Sequence, residues 1–210
     1  MATRYQERLE ATRTYIYDHF PMVMTAVSRY RWKLQGRQDR PSHGVKHRAL
    51  QHYAMRFKLH TLIETGTFHG HMIASTKNLF SSIYSIELDA GNYYAARTRF
   101  AEYPHIHLIH GDSAQMLPRL LSEISSPCIF WLDAHYSGAG TARGDVSTPI
   151  LSELGCILSH TITGHVVLID DACDFNGTED YPTIDEVRRF VAAYRPEARI
   201  EVKDNIIRIV

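Results

Sequence analysis

Hydrophobic and polar positions follow two different patterns along the chain, and the change falls near residue 60. Before it, residues 3–32 carry apolar side chains at helical spacing, at Tyr5, Leu9, Ile16 and Phe20. Pro21 breaks or restarts this predicted helix. Residues 33–47 have the composition of a loop, and a second helix is predicted over 48–58. Residues 1–59 are therefore expected to form a helical extension.

From residue 61 onward, short apolar runs alternate with amphipathic stretches. Strands are predicted at 61–65, 82–88, 105–110, 128–134, 165–170, 198–202 and 205–210. Helices are predicted between them at 70–80, 90–102, 113–124, 148–160 and 183–194. Such alternation is typical of a doubly wound, mostly parallel sheet. The last two strands flank Lys203-Asp204 and are predicted to form an antiparallel hairpin. The sequence thus predicts an α/β fold with a seven-stranded sheet over residues 60–210, as one globular unit.

Composition narrows the class of protein. The chain has 210 residues, of which 44% are hydrophobic and 22% charged, an ordinary balance for one globular domain. The formal net charge is zero, so no overall field favours nucleic acid or an anionic membrane as a partner. No apolar run approaches the roughly 20 residues of a membrane span. The N-terminus is polar and the three cysteines form no CxxC pair, so we expect a cytoplasmic protein.

The end of the first predicted strand has the residues of a nucleotide-binding turn. The run Glu64-Thr65-Gly66-Thr67-Phe68-His69-Gly70 places an acid before two glycines and a helix. Glycines allow the backbone to approach a ligand closely and to turn sharply into the helix. The run departs from GxGxxG because Phe68 stands where a glycine is common. An ordinary strand-to-helix loop is the alternative interpretation.

The next two strand ends supply further polar groups at the same edge. Glu87, in Glu87-Leu88-Asp89, follows the glycine turn by about 20 residues, the spacing of an acid that binds ribose hydroxyls. Asp89 is expected to cap the following helix. Asp112 is a candidate to accept a hydrogen bond from an adenine amino group; the alternative is that Asp112 or Ser113 caps the next helix, and the sequence does not choose between these interpretations.

Taken in order, the motifs ETGTFHG, SIELD, HGDSAQ and FWLDAH resemble those of class I S-adenosylmethionine-dependent methyltransferases. The resemblance covers about residues 60–210 and includes the terminal hairpin, since that fold inserts its last strand antiparallel. It implies Glu64 and Gly66 beside the methionine part of the cofactor, Glu87 beside the ribose, and Asp112 and Ser113 beside the adenine. The full set implied for S-adenosylmethionine is Glu64, Thr65, Gly66, Thr67, Phe68, Gly70, Glu87, Leu88, Asp112, Ser113 and Asp133.

Three carboxylates are predicted to converge where the fourth and fifth strands end. Asp133 follows the fourth strand, and Asp170 and Asp171 follow the fifth. Carboxylates that share a site raise one another's pKa unless a positive charge joins them. A set of oxygen ligands favours Mg²⁺ or a similar divalent cation. The alternative is that Asp133 orients the ammonium of the cofactor and Asp171 caps a loop.

This arrangement is similar to that of metal-dependent O-methyltransferases that act on sugars and other small molecules. The resemblance implies Mg²⁺ held by Asp133, Asp170 and Asp171, and a general base two residues after the first acid, which is His135 here. Along an extended segment Asp133 and His135 would point to the same side. The glycine-containing residues 136–145 are expected to form a mobile loop beside the site, where Arg143 is a candidate for holding an acidic substrate group.

The N-terminal segment is locally basic, through Arg29, Arg31, Lys33, Arg37, Arg40, Lys46 and Arg48. A solvated helix and loop is the simpler interpretation, and contact with an anionic substrate is the sharper one. In methyltransferases of this fold such additions often cover the active site or mediate a homodimer.

The leading hypothesis is metal-assisted O-methylation of a hydroxylated small molecule or sugar, with His135 as the base. A nucleic-acid methyltransferase is disfavoured because LDAH replaces the Asn/Asp-Pro-Pro-aromatic signature and the net charge is zero. An NAD-dependent oxidoreductase is disfavoured by the missing GxGxxG and by the hairpin. A binding module without catalysis is disfavoured by the clustered carboxylates, which are costly to bury.

Overall fold

A computed structural model describes residues 40–134, 148–178 and 180–210, together with Thr12, Tyr15, Val23, Ala26, Val27, Tyr30 and Leu34. These seven isolated positions are helical, as the pattern in residues 3–32 predicts for six of them. Leu34 lies in the segment that was predicted to be a loop.

The described residues form one seven-stranded sheet with helices on its two faces. The strands are β1 (Thr61–Thr65), β2 (Ser82–Glu87), β3 (Ile106–His110), β4 (Ile129–Leu132), β5 (Val166–Ile169), β6 (Ile200–Lys203) and β7 (Ile206–Ile209). The helices are α1 (His43–Phe57), α2 (His71–Thr76), α3 (Ala90–Arg99), α4 (Ser113–Leu121), α5 (Ile150–Ser159) and α6 (Ile184–Tyr194), with a 3₁₀ helix at Ala172–Asp174.

The strand order is β3-β2-β1-β4-β5-β7-β6, with β1 to β5 parallel and β7 antiparallel to its two neighbours. This order confirms the predicted α/β fold, including the inserted last strand. Strands β2 and β3 are added on one side of β1, and β4 and β5 on the other, so the strand order reverses between β1 and β4. Ligands of such sheets bind at the carboxyl ends of the strands near that point.

Alternate strand residues supply the two halves of the core, because successive side chains point to opposite faces of a sheet. Leu62, Ile129 and Leu168 pack with α1, α2 and α3 on one face. Ile63, Phe130 and Ile169 pack with α4, α5 and α6 on the other. The central strands are buried on both faces, which explains why they are nearly continuous apolar runs.

The first described helix differs most from its prediction. Helix α1 begins at His43, five residues before the predicted start at residue 48, so part of the predicted loop is helical. Val45, Ala49 and Tyr53 recur along its buried side. The helix ends at Phe57, and the backbone of the capping residue Lys58 is left-handed with φ 53°. Residues 43–47 have the composition of a loop, but they are helical because the apolar side of α1 packs against the sheet, and this packing cannot be read from the local sequence.

The terminal hairpin turns one residue later than predicted, at Asp204-Asn205. Their φ angles are +53° and +58°, the geometry of a type I′ turn, which Asn and Asp tolerate better than Lys.

Candidate active site

The loop after β1 needs a glycine at its first turn. Gly66 has φ +85°, and a Cβ atom there would lie 2.5 Å from the carbonyl oxygen of Asp133. Its N–H donates to the carbonyl of Ile86 at 2.9 Å. The backbone after β1 is therefore pressed between the ends of β2 and β4, which places the predicted glycine turn at the point where the order of strands reverses.

Phe68 takes the left-handed conformation that a glycine has in many nucleotide-binding turns. Its φ is +46°, and its side chain is exposed at the carboxyl edge of the sheet. Gly70 follows with φ +68°, and a Cβ there would meet the Phe100 ring at 2.7 Å. The departure from GxGxxG thus preserves the sharp turn and adds an exposed aromatic ring.

Glu87 ties the first two strand ends together. One carboxylate oxygen accepts the N–H of Phe68 at 2.7 Å, and the other accepts the N–H of Asp89 at 2.8 Å. Each oxygen keeps a second lone pair for a ligand hydroxyl. The residue predicted to bind ribose therefore also fixes the loop after β1, while Leu88, half-buried, lies between the two acids.

The two predicted caps are present. Asp89 accepts the N–H of Asn92 at 2.8 Å at the start of α3. Asp112 accepts the N–H of Ala114 at 2.9 Å at the start of α4. The cap uses one oxygen of Asp112, so the adenine role stays a prediction for the other.

The buried carboxyl group of Glu64 lies at the end of β1, directly before the glycine turn. Glu64 accepts the hydroxyl of Ser85 at 2.5 Å, and Ser85 in turn contacts the hydroxyl of Thr67 at 2.6 Å. Burial raises the pKa of Glu64 to about 8, against the opposing effect of the Ser85 hydrogen bond. Glu64 is therefore largely protonated at neutral pH.

Glu153, on α5, is a site residue that the sequence analysis missed. It is 1% exposed and lies beside Ser113, behind the predicted adenine position, and neither its Oε1 nor the buried hydroxyl of Thr65 has a hydrogen-bond partner among the described residues. Burial raises its pKa to about 7. In the sequence it is one polar residue on an otherwise apolar helix, and that interruption was the only available signal.

Asp133 and Asp170 lie side by side where β4 and β5 end. Leu132 pairs with Ile169 in the parallel register, and the Asp170 N–H donates to the Leu132 carbonyl at 3.0 Å. Asp171 follows with φ +49° and accepts the amide of Asn205 at 3.1 Å. The structure thus brings the three predicted carboxylates together.

Two cations from the N-terminal side meet these carboxylates. Lys46, on α1, donates from Nζ to Oδ2 of Asp170. Arg40 donates to Asp171 at 2.6 Å and to both oxygens of Asp174 at 2.7 and 2.9 Å. Both cations belong to the locally basic segment, for which a solvated surface was the simpler expectation. Their positions beside the acids were not predicted, because 124 and 131 residues separate the partners.

The charges shift the pKa values of the cluster in a consistent way. Burial lowers the pKa of Lys46, but the carboxylates of Asp170, Asp133 and Asp171 outweigh it and raise the value above the ordinary one. Burial raises the pKa of Asp133 to about 6, although Lys46 opposes the shift. Burial and the charge of Asp133 likewise raise the pKa of Asp170. Lys46 is therefore a stable ammonium group among carboxylates that do not all ionise together.

The cluster as arranged does not fit the predicted Mg²⁺ site. In the part of the chain that the structure describes, no group of three or more His, Cys, Asp or Glu side chains is arranged to hold a metal ion. Oδ2 of Asp170 is already bound by Lys46, and Oδ2 of Asp171 is bound by Arg40. A divalent cation and these side chains would compete for the same oxygens.

His135 and Arg143 lie outside the described residues, as does the predicted mobile loop over residues 136–145. Asp133 and Ala134 are the last described positions before them.

Within the described residues, no helix is long and apolar enough to cross a membrane.

Comparison with known proteins gives matches in structure but none in sequence. No family model and no curated protein matches the chain. An O-methyltransferase from Bacillus cereus, solved in complex with SAH, superposes with TM-score 0.58 at 16% identity, covering 95% of this chain and 97% of its own.

Two further structures give similar superpositions. The O-methyltransferase TomG from Streptomyces achromogenes, in complex with SAM, has TM-score 0.54 at 16% identity and covers 89% and 87% of the two chains. The SAH-bound methyltransferase PaMTH1 from Podospora anserina has TM-score 0.53 at 15% identity and covers 97% and 94%. With its strand order and its glycine turn at β1, the chain therefore has the Rossmann-like fold of the S-adenosylmethionine-dependent O-methyltransferases.

Proposed function

We propose that this protein is an S-adenosylmethionine-dependent O-methyltransferase that acts on a hydroxylated small molecule or sugar. One observation carries the proposal: the glycine turn after β1 is packed against Asp133 and tied to Glu87, so that cofactor-type loops and an acidic cluster adjoin at one edge of the sheet. The similarity in fold to O-methyltransferases of matching length supports the same class of reaction.

In this proposal each loop at the carboxyl edge of the sheet binds a different part of S-adenosylmethionine. The turn at Gly66 and the neighbouring Asp133 take the methionine part, the free lone pairs of Glu87 take the ribose hydroxyls, and Ser113 borders the adenine. When bound, S-adenosylmethionine supplies a methyl group that its sulfonium has already activated, so orientation of the acceptor is the main task of the protein. His135 takes the proton of the acceptor hydroxyl, since an imidazole pKa of about 6.5 suits a base near neutral pH.

Metal assistance is not part of the proposal, because Lys46 and Arg40 already bind Asp170 and Asp171, two of the three carboxylates that the sequence analysis assigned to Mg²⁺. The acceptor class rests on the presence of a polar, charged edge, which suits a hydroxylated compound better than an apolar one. A nucleic acid as acceptor is disfavoured by the zero net charge.

The first test is calorimetric titration of the purified chain with S-adenosylhomocysteine, with NAD as the control. We expect saturable binding of S-adenosylhomocysteine alone. A matched variant, Glu87→Gln, should weaken binding because an amide cannot accept both backbone N–H groups and ribose hydroxyls as a carboxylate does. Binding of NAD in preference to S-adenosylhomocysteine would replace the proposal with an oxidoreductase.

The second step is a screen of hydroxylated sugars and phenols that follows formation of S-adenosylhomocysteine. Transfer to a hydroxyl, located by mass spectrometry of the product, is the expected result. Transfer only to nitrogen would contradict O-methylation while leaving the cofactor assignment intact.

A further inference from the structure

Lys46 lies where the sequence analysis placed a metal ion. Its Nζ contacts Oδ2 of Asp170, whose side chain is fully buried, and its charge acts on Asp133 and Asp171 as well. Lys46 itself keeps 18% of its side chain exposed. The ammonium group is therefore fixed by a buried carboxylate while part of the side chain stays accessible.

Asp170 provides a second observation at the same point. Its other oxygen, Oδ1, is buried and has no hydrogen-bond partner among the described residues. A buried carboxylate oxygen without a donor is costly, so such atoms usually receive a hydrogen bond from a ligand or another group. Lys46 and Asp170 together offer a donor and a free acceptor, which is what a hydroxyl group needs.

The surrounding charges explain why Lys46 stays in place. Asp133, Asp170, Asp171 and Asp174 face two cations, Lys46 and Arg40. Arg40 is held by Asp171 and Asp174. The charge of Lys46 acts on Asp133, and the backbone carbonyl of Asp133 lies against the Gly66 turn, so Asp133 links the ammonium group to the loop after β1.

We propose that Lys46 binds the acceptor oxygen in place of a divalent cation, with Asp170 as its anchor, so that methyl transfer by this protein requires no metal. This inference rests on the proposed function. In the reaction the acceptor O–H gives its proton to the base, the oxygen forms a bond to the methyl carbon, and the carbon–sulfur bond breaks to leave S-adenosylhomocysteine. Lys46 keeps its protons throughout and stabilises the negative charge that develops on the oxygen.

The first experiment needs no acceptor. The metal-depleted wild-type protein, saturated with S-adenosylhomocysteine, is titrated with MgCl₂ by calorimetry, beside Lys46→Met and the exposed hairpin control Lys203→Met. We expect no saturable Mg²⁺ binding by wild type or Lys203→Met. Lys46→Met should acquire Mg²⁺ binding, because the carboxylates lose their ammonium group. Specific Mg²⁺ binding by the wild type would overturn the inference.

The second experiment uses an acceptor from the screen, with wild-type protein in EDTA. We expect full activity with the chelator, and a decrease of about 100-fold in kcat/KM for Lys46→Met, the usual effect of removing one group that stabilises an oxyanion. The affinity for S-adenosylhomocysteine should stay within threefold of wild type, which also establishes that the variant is folded.

The outcomes distinguish the role of Lys46 from the proposed methyltransferase function. Binding of S-adenosylhomocysteine with loss of wild-type activity in EDTA, restored by Mg²⁺, would overturn the role of Lys46 and leave the methyltransferase proposal standing. Unaltered kcat/KM in Lys46→Met or in the conservative Lys46→Gln would have the same consequence. Failure of the wild type to bind S-adenosylhomocysteine would overturn both.

Discussion

At the scale of single residues, the candidate site depends on positions that accept only one residue type. Gly66 leaves no space for a Cβ atom, and Glu87 uses both oxygens to hold backbone N–H groups. The sequence analysis identified both positions from their order after a strand. It predicted the ligand of each but not the second task of Glu87, since a link between two loops depends on the pairing of β1 with β2.

Replacing Gly66 with alanine tests the close approach of the β1 loop to β4. The left-handed backbone and the 2.5 Å contact with Asp133 should together destabilise the protein by about 2 kcal/mol or more and abolish binding of S-adenosylhomocysteine. Gly155→Ala in α5 is the matched control, because a Cβ there meets its nearest neighbour at 3.5 Å. Urea unfolding and calorimetry measure the two effects, and normal binding by Gly66→Ala would contradict this account of the loop.

Replacing His135 with alanine tests the proposed base. We expect turnover to fall by at least about 100-fold, the contribution of a general base, while the affinity for S-adenosylhomocysteine stays unchanged. The pH profile of kcat/KM in the wild type should show one group that must be deprotonated near pH 6.5. A fully active His135→Ala protein would remove His135 from the mechanism.

At the scale of elements, the helices differ in how their first turns are closed. Helix α6 begins with a capping box, in which Thr183 and Glu186 exchange hydrogen bonds with each other's backbone N–H groups. Helix α1 begins after Ser42, whose side chain makes no capping hydrogen bond. The sequence predicted α6 within one residue and α1 five residues late. Strong local signals thus fix a boundary, whereas α1 depends on its packing against the sheet.

The two helix starts predict opposite responses to alanine. Thr183→Ala should lower the free energy of unfolding by about 1 kcal/mol, because the backbone N–H of Glu186 loses the hydroxyl oxygen that accepts it. Ser42→Ala should leave it unchanged or raise it slightly, since the buried hydroxyl has no partner among the described residues. Chemical unfolding of both variants checks the difference. An unchanged free energy of unfolding in Thr183→Ala would mean that the capping box adds nothing to stability.

At the scale of the whole molecule, buried groups at the two ends of the parallel strands have pKa values shifted in opposite directions. The carboxyl edge holds the buried Glu64 and Glu153, with raised pKa values of about 8 and about 7. The opposite edge holds His165, where burial and the neighbouring His160 lower the pKa to about 4. The Cys128 N–H donates to Nδ1 of His165 at 3.0 Å, so the neutral ring is the form that the fold binds.

These shifts predict how stability depends on pH. Above pH 4.5 the folded state keeps protons on Glu64 and Glu153 that the unfolded chain has lost, so their contribution falls as pH rises toward 8. Below pH 6.5 the unfolded chain protonates His165 and the folded state does not, so that contribution falls as pH decreases toward 4. Above pH 6.5 only the first effect remains, and the protein without ligand should become less stable between pH 6.5 and 8.

Urea unfolding at intervals from pH 6.5 to 8 measures this slope. Glu153→Gln should reduce it, because the amide needs no proton to remain neutral. The exposed Glu197→Gln is the control for loss of a carboxyl group at the surface. A slope of zero or of opposite sign in the wild type would contradict the buried, protonated state of the two acids.

The sequence by itself determined the strands, their alternation with helices, and the acids and glycines at the strand ends. These features are local: period-2 burial, helix caps and sharp turns are written within a few neighbouring residues. Asp133 and Asp170 each follow directly after a strand, and the pairing of Leu132 with Ile169 between β4 and β5 then brings them together at one edge of the sheet.

Only the tertiary structure decided what meets those acids. Lys46 and Arg40 reach Asp170 and Asp171 across more than a hundred residues, and Glu153 on α5 lies beside Ser113 at the start of the neighbouring helix α4. No local pattern records such contacts, since surface and buried charges look alike in a sequence. Two of the three carboxylates that predict a metal site in the sequence are paired with Lys46 and Arg40 in the fold, because the N-terminal part of the chain packs against the ends of β4 and β5.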